Sequence, residues 1–239
     1  MSYQSVFRRY ELKYLLTPAQ KKKVLEAMEP YMKLDEYGRT TIRNIYCDTP
    51  SYRLVRQSLE RPAYKEKLRI RSYEQAGPSS PVFVELKKKW DGVVYKRRIA
   101  LPEWEAMDWI CGGTPCGRQE QIVREIEYFR CFYGGLKPAA FLSYEREAFY
   151  TVDGSDFRVT FDESILCRQR NISLCAGVWG VPLLGQGQTL MEIKCSGGIP
   201  LWMAAVLSEE GIHKASYSKY GTAYEKMIYP YLQGGRQYA

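Results

Sequence analysis

The sequence predicts an α+β chain whose strands pair antiparallel in a sheet or barrel, and three observations carry that reading. Lys65, Lys67, Arg69 and Arg71 occupy alternate positions, with Glu66, Leu68 and Ile70 between them. Successive side chains of a strand point to opposite faces, so the four cations share one face. The same alternation of charge recurs at residues 9–13, 84–89, 95–99 and 191–194. Trp90-Asp91-Gly92 joins two of these stretches; Asp-Gly is a strong hairpin signal, and hairpins join antiparallel strands.

The first strand, through Arg9-Tyr10-Glu11-Leu12-Lys13, leads to Thr17-Pro18-Ala19-Gln20. There an N-cap Thr, a Pro at the first helical position and a Gln at the capping-box position predict a helix over 18–28. Its Lys21-Lys22-Lys23 run reads as a solvated face. Residues 40–48 are β-branched and aromatic enough for a strand. Asp48-Thr49-Pro50 then offers a cap and a Pro start for a helix carrying Tyr52, Val55 and Leu59. The cationic strand follows, closed by turn formers over 75–81, and then the hairpin of strands 82–89 and 93–101.

Residues 102–110 and 119–133 read as helices packing outside the sheet, the second with Ile122, Ile126, Phe129 and Tyr133 at core spacing. Strands over 141–150 and 157–162 flank an Asp-Gly turn and bring Tyr144, Arg146, Arg158, Thr160 and Asp162 into the alternating pattern. A Gly-rich stretch, 176–188, precedes the strand of Glu192. A short helix over 200–207 and an amphipathic one over 220–232, with Tyr224, Met227, Ile228 and Tyr231 as its apolar stripe, close the chain.

Charge patterning narrows the function. One face of five strands collects Arg9, Lys13, Lys67, Arg69, Arg71, Lys87, Lys89, Lys96, Arg98 and Lys194 against Glu11, Glu85 and Glu192. Like charges on neighbouring strands repel, so such a face calls for water or a polyanion to fill it. A phosphate chain with a divalent ion meets that need. The net charge of +8 points to polyanionic partners in general. The cations alternate on strands instead of lining an exposed helix, which argues against nucleic acid.

The 239 residues, 45% hydrophobic, suffice for a core and are read as a single domain over 1–239. Seven cysteines without a CxxC, and His213 as the lone histidine, exclude a Cys/His zinc cluster. Reduced thiols are expected, Cys111 and Cys116 included. No apolar run approaches the ~20 residues of a membrane span, and residues 1–5 lack a signal-peptide core. A cytoplasmic protein is expected, with peripheral membrane association through a partner left open.

Nine motifs in order resemble one family: Arg9-Tyr10-Glu11-Leu12-Lys13-Tyr14, Ile45-Tyr46-Cys47-Asp48-Thr49-Pro50, Lys67-Leu68-Arg69-Ile70-Arg71-Ser72-Tyr73, Glu85-Leu86-Lys87, Lys96-Arg97-Arg98, Tyr144-Glu145-Arg146, Arg158-Val159-Thr160-Phe161-Asp162, Glu192-Ile193-Lys194 and Ser218-Lys219-Tyr220. Together they resemble the VTC domain of polyphosphate polymerases, within the CYTH or triphosphate tunnel metalloenzyme superfamily. The resemblance runs from about Tyr3 to Ile228.

It implies a closed antiparallel β-barrel tunnel with helices packed outside, in which ATP donates its γ-phosphate to a growing polyphosphate chain with Mn2+ or Mg2+ bound. Arg69, Arg71, Lys87, Arg146, Lys194 and Lys219 are then expected to be catalytic. Lys13, Lys67, Lys96, Arg98, Arg158 and Glu11 are expected to bind substrate, and Glu192 with Glu85 the metal. Inorganic phosphate or pyrophosphate would serve as primer. One departure stands out: Ser216 occupies a position where the family's best-studied enzymes carry a basic residue, and Lys214 is the nearby substitute. An inorganic triphosphatase, with Glu11 or Glu85 orienting water, and a non-catalytic polyphosphate- or nucleotide-binding module are the competing readings.

Overall fold

The computed structural model describes residues 10–91 and 93–234; Arg9, Gly92 and residues 1–5 lie outside the described residues. In chain order the strands are β1 (Tyr10–Leu16), β2 (Met32–Leu34), β3 (Thr40–Asp48), β4 (Tyr64–Ser72), β5 (Pro81–Trp90), β6 (Val93–Pro102), β7 (Lys137–Thr151), β8 (Phe157–Arg168), β9 (Val181–Pro182) and β10 (Thr189–Cys195). The helices are α1 (Pro18–Met28), α2 (Arg53–Leu59), α3 (Glu103–Met107), α4 (Gln121–Tyr133), α5 (Leu201–Glu209), α6 (Lys219–Ala223) and α7 (Tyr229–Gly234). A π-helical turn follows α3 at Asp108–Gly112, and another joins α6 to α7 at Tyr224–Ile228. Among the described residues no helix is long and apolar enough to cross a membrane.

The strand order is β1-β10-β8-β7-β3-β4-β5-β6, with β2 on β7 and β9 on β8. The antiparallel α+β architecture is as expected, but closure into a barrel is not found: β1 and β6 end the order, and among the described residues they do not pair with each other. Both edges explain this. The outer edge of β1 is taken by the chain at 214–215, where Tyr14 bridges Lys214 and the Ala215 N–H donates to the Lys13 carbonyl at 2.7 Å. On β6, Lys96, Arg97 and Arg98 follow one another, and a charged edge discourages further pairing.

The chain forms two compact units, each with its own core. The first comprises residues up to Thr41, Tyr144–Ile165 and Leu184–Ser218. Its core gathers Leu16, Val24, Met28, Phe161, Met191, Ile193 and Met203. Helix α1 starts as the sequence dictates: Thr17 Oγ1 accepts from the Gln20 N–H and the Gln20 side chain accepts from the Thr17 N–H. Its lysine run departs from expectation at one residue. Lys22 and Lys23 are exposed, whereas Lys21 is drawn in by Glu147 at 3.0 Å and Glu163 at 2.8 Å.

The second unit comprises Ile42–Ser143, Leu166–Leu183 and the chain from Lys219 onward. Leu68, Ile70, Val84 and Leu86 face its core, where Ala106, Trp109, Ile126 and Phe129 of the α3–α4 region cover them. This is the half-apolar strand pattern realised as burial. Helix α2 begins later than the Asp48-Thr49-Pro50 signal suggested. Tyr52 adopts the left-handed conformation, φ 57°, and holds the chain in a turn before Arg53. Asp48, fully buried, still caps the helix from a distance by accepting the N–H groups of Leu54 and Val55. The final helix is interrupted because Pro230 lacks an N–H and crowds the carbonyl four residues back, which the π turn accommodates. Tyr231, expected in its apolar stripe, is 76% exposed. All seven cysteines are free thiols.

Arg168 organises the loop before β9. It is buried, with its guanidinium 3.6 Å from the Phe141 ring centroid and 4.8 Å from that of Trp179. Its nitrogens donate to the carbonyls of Asn171, Ser173, Gly177 and Trp179 at 3.1–3.3 Å. At Gly180 the chain passes so close to β8 that a Cβ would meet the Cys167 carbonyl oxygen at 2.5 Å. Arg168→Met should therefore strand buried carbonyls and destabilise the protein by about 3 kcal/mol in urea titration. Arg168→Lys should recover less than half of that, because one ammonium cannot reproduce the planar fork. Cleavage within 170–180 under limited proteolysis should rise in parallel.

Glu163 supplies a pH signature in the first unit. Burial alone would raise its pKa, but hydrogen bonds from Lys21, Thr189 and Arg39 bring it from 4.5 to about 2. A carboxyl with a depressed folded-state pKa stabilises the fold fully above its unfolded value and loses that contribution as pH falls towards the folded one. Acid unfolding of the wild type should show this loss between about pH 4.5 and 2. Glu163→Gln should flatten that part of the curve.

Candidate polyphosphate-binding site

In the second unit the register of β3 to β6 arranges the charged face in rows. Lys67, Lys87 and Lys96 are cross-strand partners in one row. Tyr46, Arg69, Glu85 and Arg98 form the next, and Asn44, Arg71, Phe83 and Ala100 the one after. Six cations, Lys67, Arg69, Arg71, Lys87, Lys96 and Arg98, thus meet a single carboxylate, Glu85, on this face.

Glu85 is 1% exposed and lies at the centre of the cluster. Both Nε and Nη2 of Arg69 reach its Oε2 at 2.7 Å, Lys96 Nζ reaches Oε1 at 2.6 Å, and Arg71 Nε lies 3.9 Å away. Burial would raise the Glu85 pKa, but Arg69, Arg71 and Lys96 hold it far below the usual carboxylate range. For Lys96 the largest influence is desolvation, which lowers its pKa; Glu85 raises it, Arg69 and Arg71 lower it further, and the result is about 7.

The arginines are aimed by residues the charge pattern alone did not single out. Arg71 Nε donates to Asn44 Oδ1 at 2.9 Å, and the Asn44 amide donates to the Leu142 carbonyl. Arg69 Nη1 donates to the Tyr46 hydroxyl at 3.2 Å. Tyr46 stacks on Tyr220 at 4.8 Å, and the Tyr220 hydroxyl donates to Asp48 Oδ2 at 3.0 Å. Asp48 is thus both a remote cap and the anchor of a ring stack behind Arg69. Asn44 and Tyr46 were discoverable by the same alternation along β3; Tyr220 was not. Lys219, buried at the start of α6, precedes it directly.

In the first unit the pairing of β1, β10 and β8 makes a second basic cluster. Glu11, Lys194 and Arg158 share one row; Lys13, Glu192 and Thr160 share the next. Lys13 Nζ donates to the Tyr217 carbonyl at 2.9 Å and lies 3.6 Å from Glu11 and 3.5 Å from Glu192. Lys194 and Arg146 approach the other Glu192 oxygen at 3.2 and 3.6 Å.

Arg146 is also clamped by Asp162, Nε to Oδ1 at 2.6 Å and Nη2 to Oδ2 at 2.7 Å. Burial works to lower the Arg146 pKa, but Asp162 above all holds it well above the usual value. Desolvation is the main reason the Lys194 pKa is lowered, with Glu192 opposing it. Two polar atoms on this face, Arg158 Nε and Thr160 Oγ1, are buried without a hydrogen-bond partner among the described residues. Such orphans are rare unless a ligand serves them. Lys214 and Ser216, the departure and its substitute, are both exposed.

The two units therefore divide the expected site residues. Lys67, Arg69, Arg71, Glu85, Lys87, Lys96, Arg98 and Lys219 belong to the second; Glu11, Lys13, Arg146, Arg158, Glu192 and Lys194 belong to the first.

No curated protein matches the chain. Among solved structures it is similar to a candidate adenylate cyclase from Bacillus halodurans, with TM-score 0.53 and 15% identity over 88% of this chain and 95% of that one. It is similar also to the candidate adenylyl cyclase HpAC1 from Hippeastrum, described as having a dominant triphosphatase activity, with TM-score 0.54 and 17% identity over 89% of this chain and 93% of that one. At such identities the likeness shows the fold. The sequence itself matches the VTC domain over residues 8–228, and the chain belongs to the VTC domain family.

Proposed function

We propose that the chain is a metal-dependent polyphosphate polymerase that transfers the γ-phosphate of ATP to the end of a polyphosphate chain, with inorganic phosphate or pyrophosphate as first acceptor. The observation that carries this reading is the Glu85-centred cluster, in which six cations on three strands are set against one carboxylate. Membership of the VTC domain family supports the substrate class.

Phosphoryl transfer asks chiefly for positioning and charge stabilisation, and that is what these side chains offer. An acceptor phosphate oxygen forms the new bond to the γ-phosphorus while the bond to the β–γ bridging oxygen breaks, and ADP leaves with the electron pair. Arg69 and Arg71 present fork-shaped donors to phosphate oxygens. The lysine row Lys67, Lys87 and Lys96 carries further phosphates, and Arg146, Arg158, Lys194 and Lys13 form the second binding set. Lys219 is placed with the first.

Among the described residues no three potential ligands cluster as a protein-made metal cage. Glu192 and Glu11, either side of Lys13, fit a hard cation that takes its remaining oxygens from phosphate and water. Bound there, Mn2+ or Mg2+ would neutralise phosphate charge. Glu85 suits that role less, since its oxygens already face three cations.

The likeness to HpAC1 favours a second reading, an inorganic triphosphatase using the same cations. Purified protein with ATP and Mn2+ separates the two: polymer on a gel with ADP released supports the polymerase, whereas free phosphate alone supports the hydrolase. Binding without either product would leave a non-catalytic module. Arg71→Ala should cut product at least about 100-fold, the scale of losing one charge-stabilising group. Arg71→Lys controls for folding, and equal yield from Arg71→Ala would remove Arg71 from the site.

Lys96 gives a pH test. With its pKa about 7 in the free protein, a bound polyanion would raise that value, so binding takes up a proton. Affinity for inorganic triphosphate should then fall as pH rises from about 7 to 9. In Lys96→Arg, charged throughout, the slope should be shallower; identical slopes would exclude Lys96 as the titrating group.

A further inference from the structure

Beyond the charged rows, the same face of the second unit ends in rings. Tyr73 stands two residues past Arg71, and Phe83 is the cross-strand partner of both Arg71 and Ala100. The Tyr73 and Phe83 rings meet edge to face, centroids 5.6 Å apart and planes at 74°. The Arg98 guanidinium lies 4.6 Å over the Phe83 ring, and its Nη1 is 3.4 Å from the Tyr73 hydroxyl. Tyr73 is 40% exposed, Arg98 is exposed, and Ala100 opposite Phe83 is too short to cover a ring.

Rings that served packing alone would be expected on the core side of the strands, with Leu68, Ile70 and Val84. These stand on the cationic side. We propose that Tyr73, Phe83 and Arg98 form a stacking platform for the nucleobase of a nucleoside triphosphate whose phosphates occupy the neighbouring rows; this rests on the reading of the chain as an ATP-using enzyme.

The spacing suits that ligand. Arg98 lies two residues beyond Lys96 and Tyr73 two beyond Arg71, about 7 Å along a strand in each case, a step the ribose of a nucleotide spans. A heteroaromatic base stacks on tyrosine and on a guanidinium alike, and each such contact is sequence-tolerant. Purine nucleotides should therefore bind with little discrimination between adenine and guanine. Inorganic triphosphate, which has no base, would use the charged rows alone.

The test is equilibrium binding of ATP, GTP and inorganic triphosphate to the full chain in EDTA, so that no turnover intrudes. Tyr73→Ala should weaken ATP and GTP about tenfold while moving inorganic triphosphate by less than about twofold. Tyr73→Phe should restore ATP binding, and Phe83→Leu, which keeps apolar bulk, should reproduce the selective loss. Equal loss for nucleotide and triphosphate would mean a packing role and overturn the platform. So would unchanged ATP affinity in Tyr73→Ala, or a wild type that fails to bind ATP. A protein that binds ATP through Tyr73 yet makes neither polymer nor phosphate would sink the proposed enzyme and leave the platform standing. One that acts on inorganic triphosphate but does not bind ATP would do the reverse.

Discussion

Everything on the charged face of the second unit depends on one buried carboxylate. Lys67, Lys87 and Lys96 stand directly opposite one another on three adjacent strands, an arrangement that repulsion disfavours. Glu85 makes it tenable by contacting Lys96, Arg69 and Arg71 at once. Removing a charge from water is costly unless partners compensate, and the depressed Glu85 pKa shows that they do. The same logic governs the first unit, where Glu192 and Asp162 are distributed among Lys13, Lys194 and Arg146. In each unit the carboxylate does not cancel the cations. It offsets enough charge for the strands to pair and leaves the excess for a ligand.

That division of labour also explains why the aiming groups are neutral. Asn44 and Tyr46 orient Arg71 and Arg69 without adding charge, so they fix geometry and leave the guanidinium's attraction for phosphate intact. The ring stack behind Tyr46 extends the constraint to Asp48, a residue whose three backbone hydrogen bonds, from Thr49, Leu54 and Val55, already pin it to the start of α2. Arg69 is therefore held by a chain of contacts that ends in a fixed backbone cap.

Much of this was legible in the sequence because it is local. The β5–β6 hairpin announced itself through Asp91 and two alternating runs, and α1 through a capping box that the coordinates reproduce atom for atom. The shared face of Lys67, Arg69 and Arg71 followed from period two alone. What was not legible depends on register or long-range contact. The partners of Glu85 are set by which rows align, and the Asp48–Tyr220 pair joins positions 172 residues apart. Lys21 looked solvated until Glu147 and Glu163, from distant strands, came beside it. The open strand order turned on the chain at 214–215 occupying the β1 edge, which no alternation in β1 itself could reveal.

The rows also bear on what the site selects. A single phosphate group arriving beside Glu85 meets cations already partly satisfied by a fixed carboxylate, so its gain is small. A chain of linked phosphates reaches several rows at once, because adjacent strands are about 4.8 Å apart and alternate residues about 7 Å. Each added contact is then intramolecular and escapes the entropy of a separate binding event. Built-in counter-charge thus penalises small anions more than long ones, and a face of this kind discriminates by ligand length before any particular residue reads ligand identity.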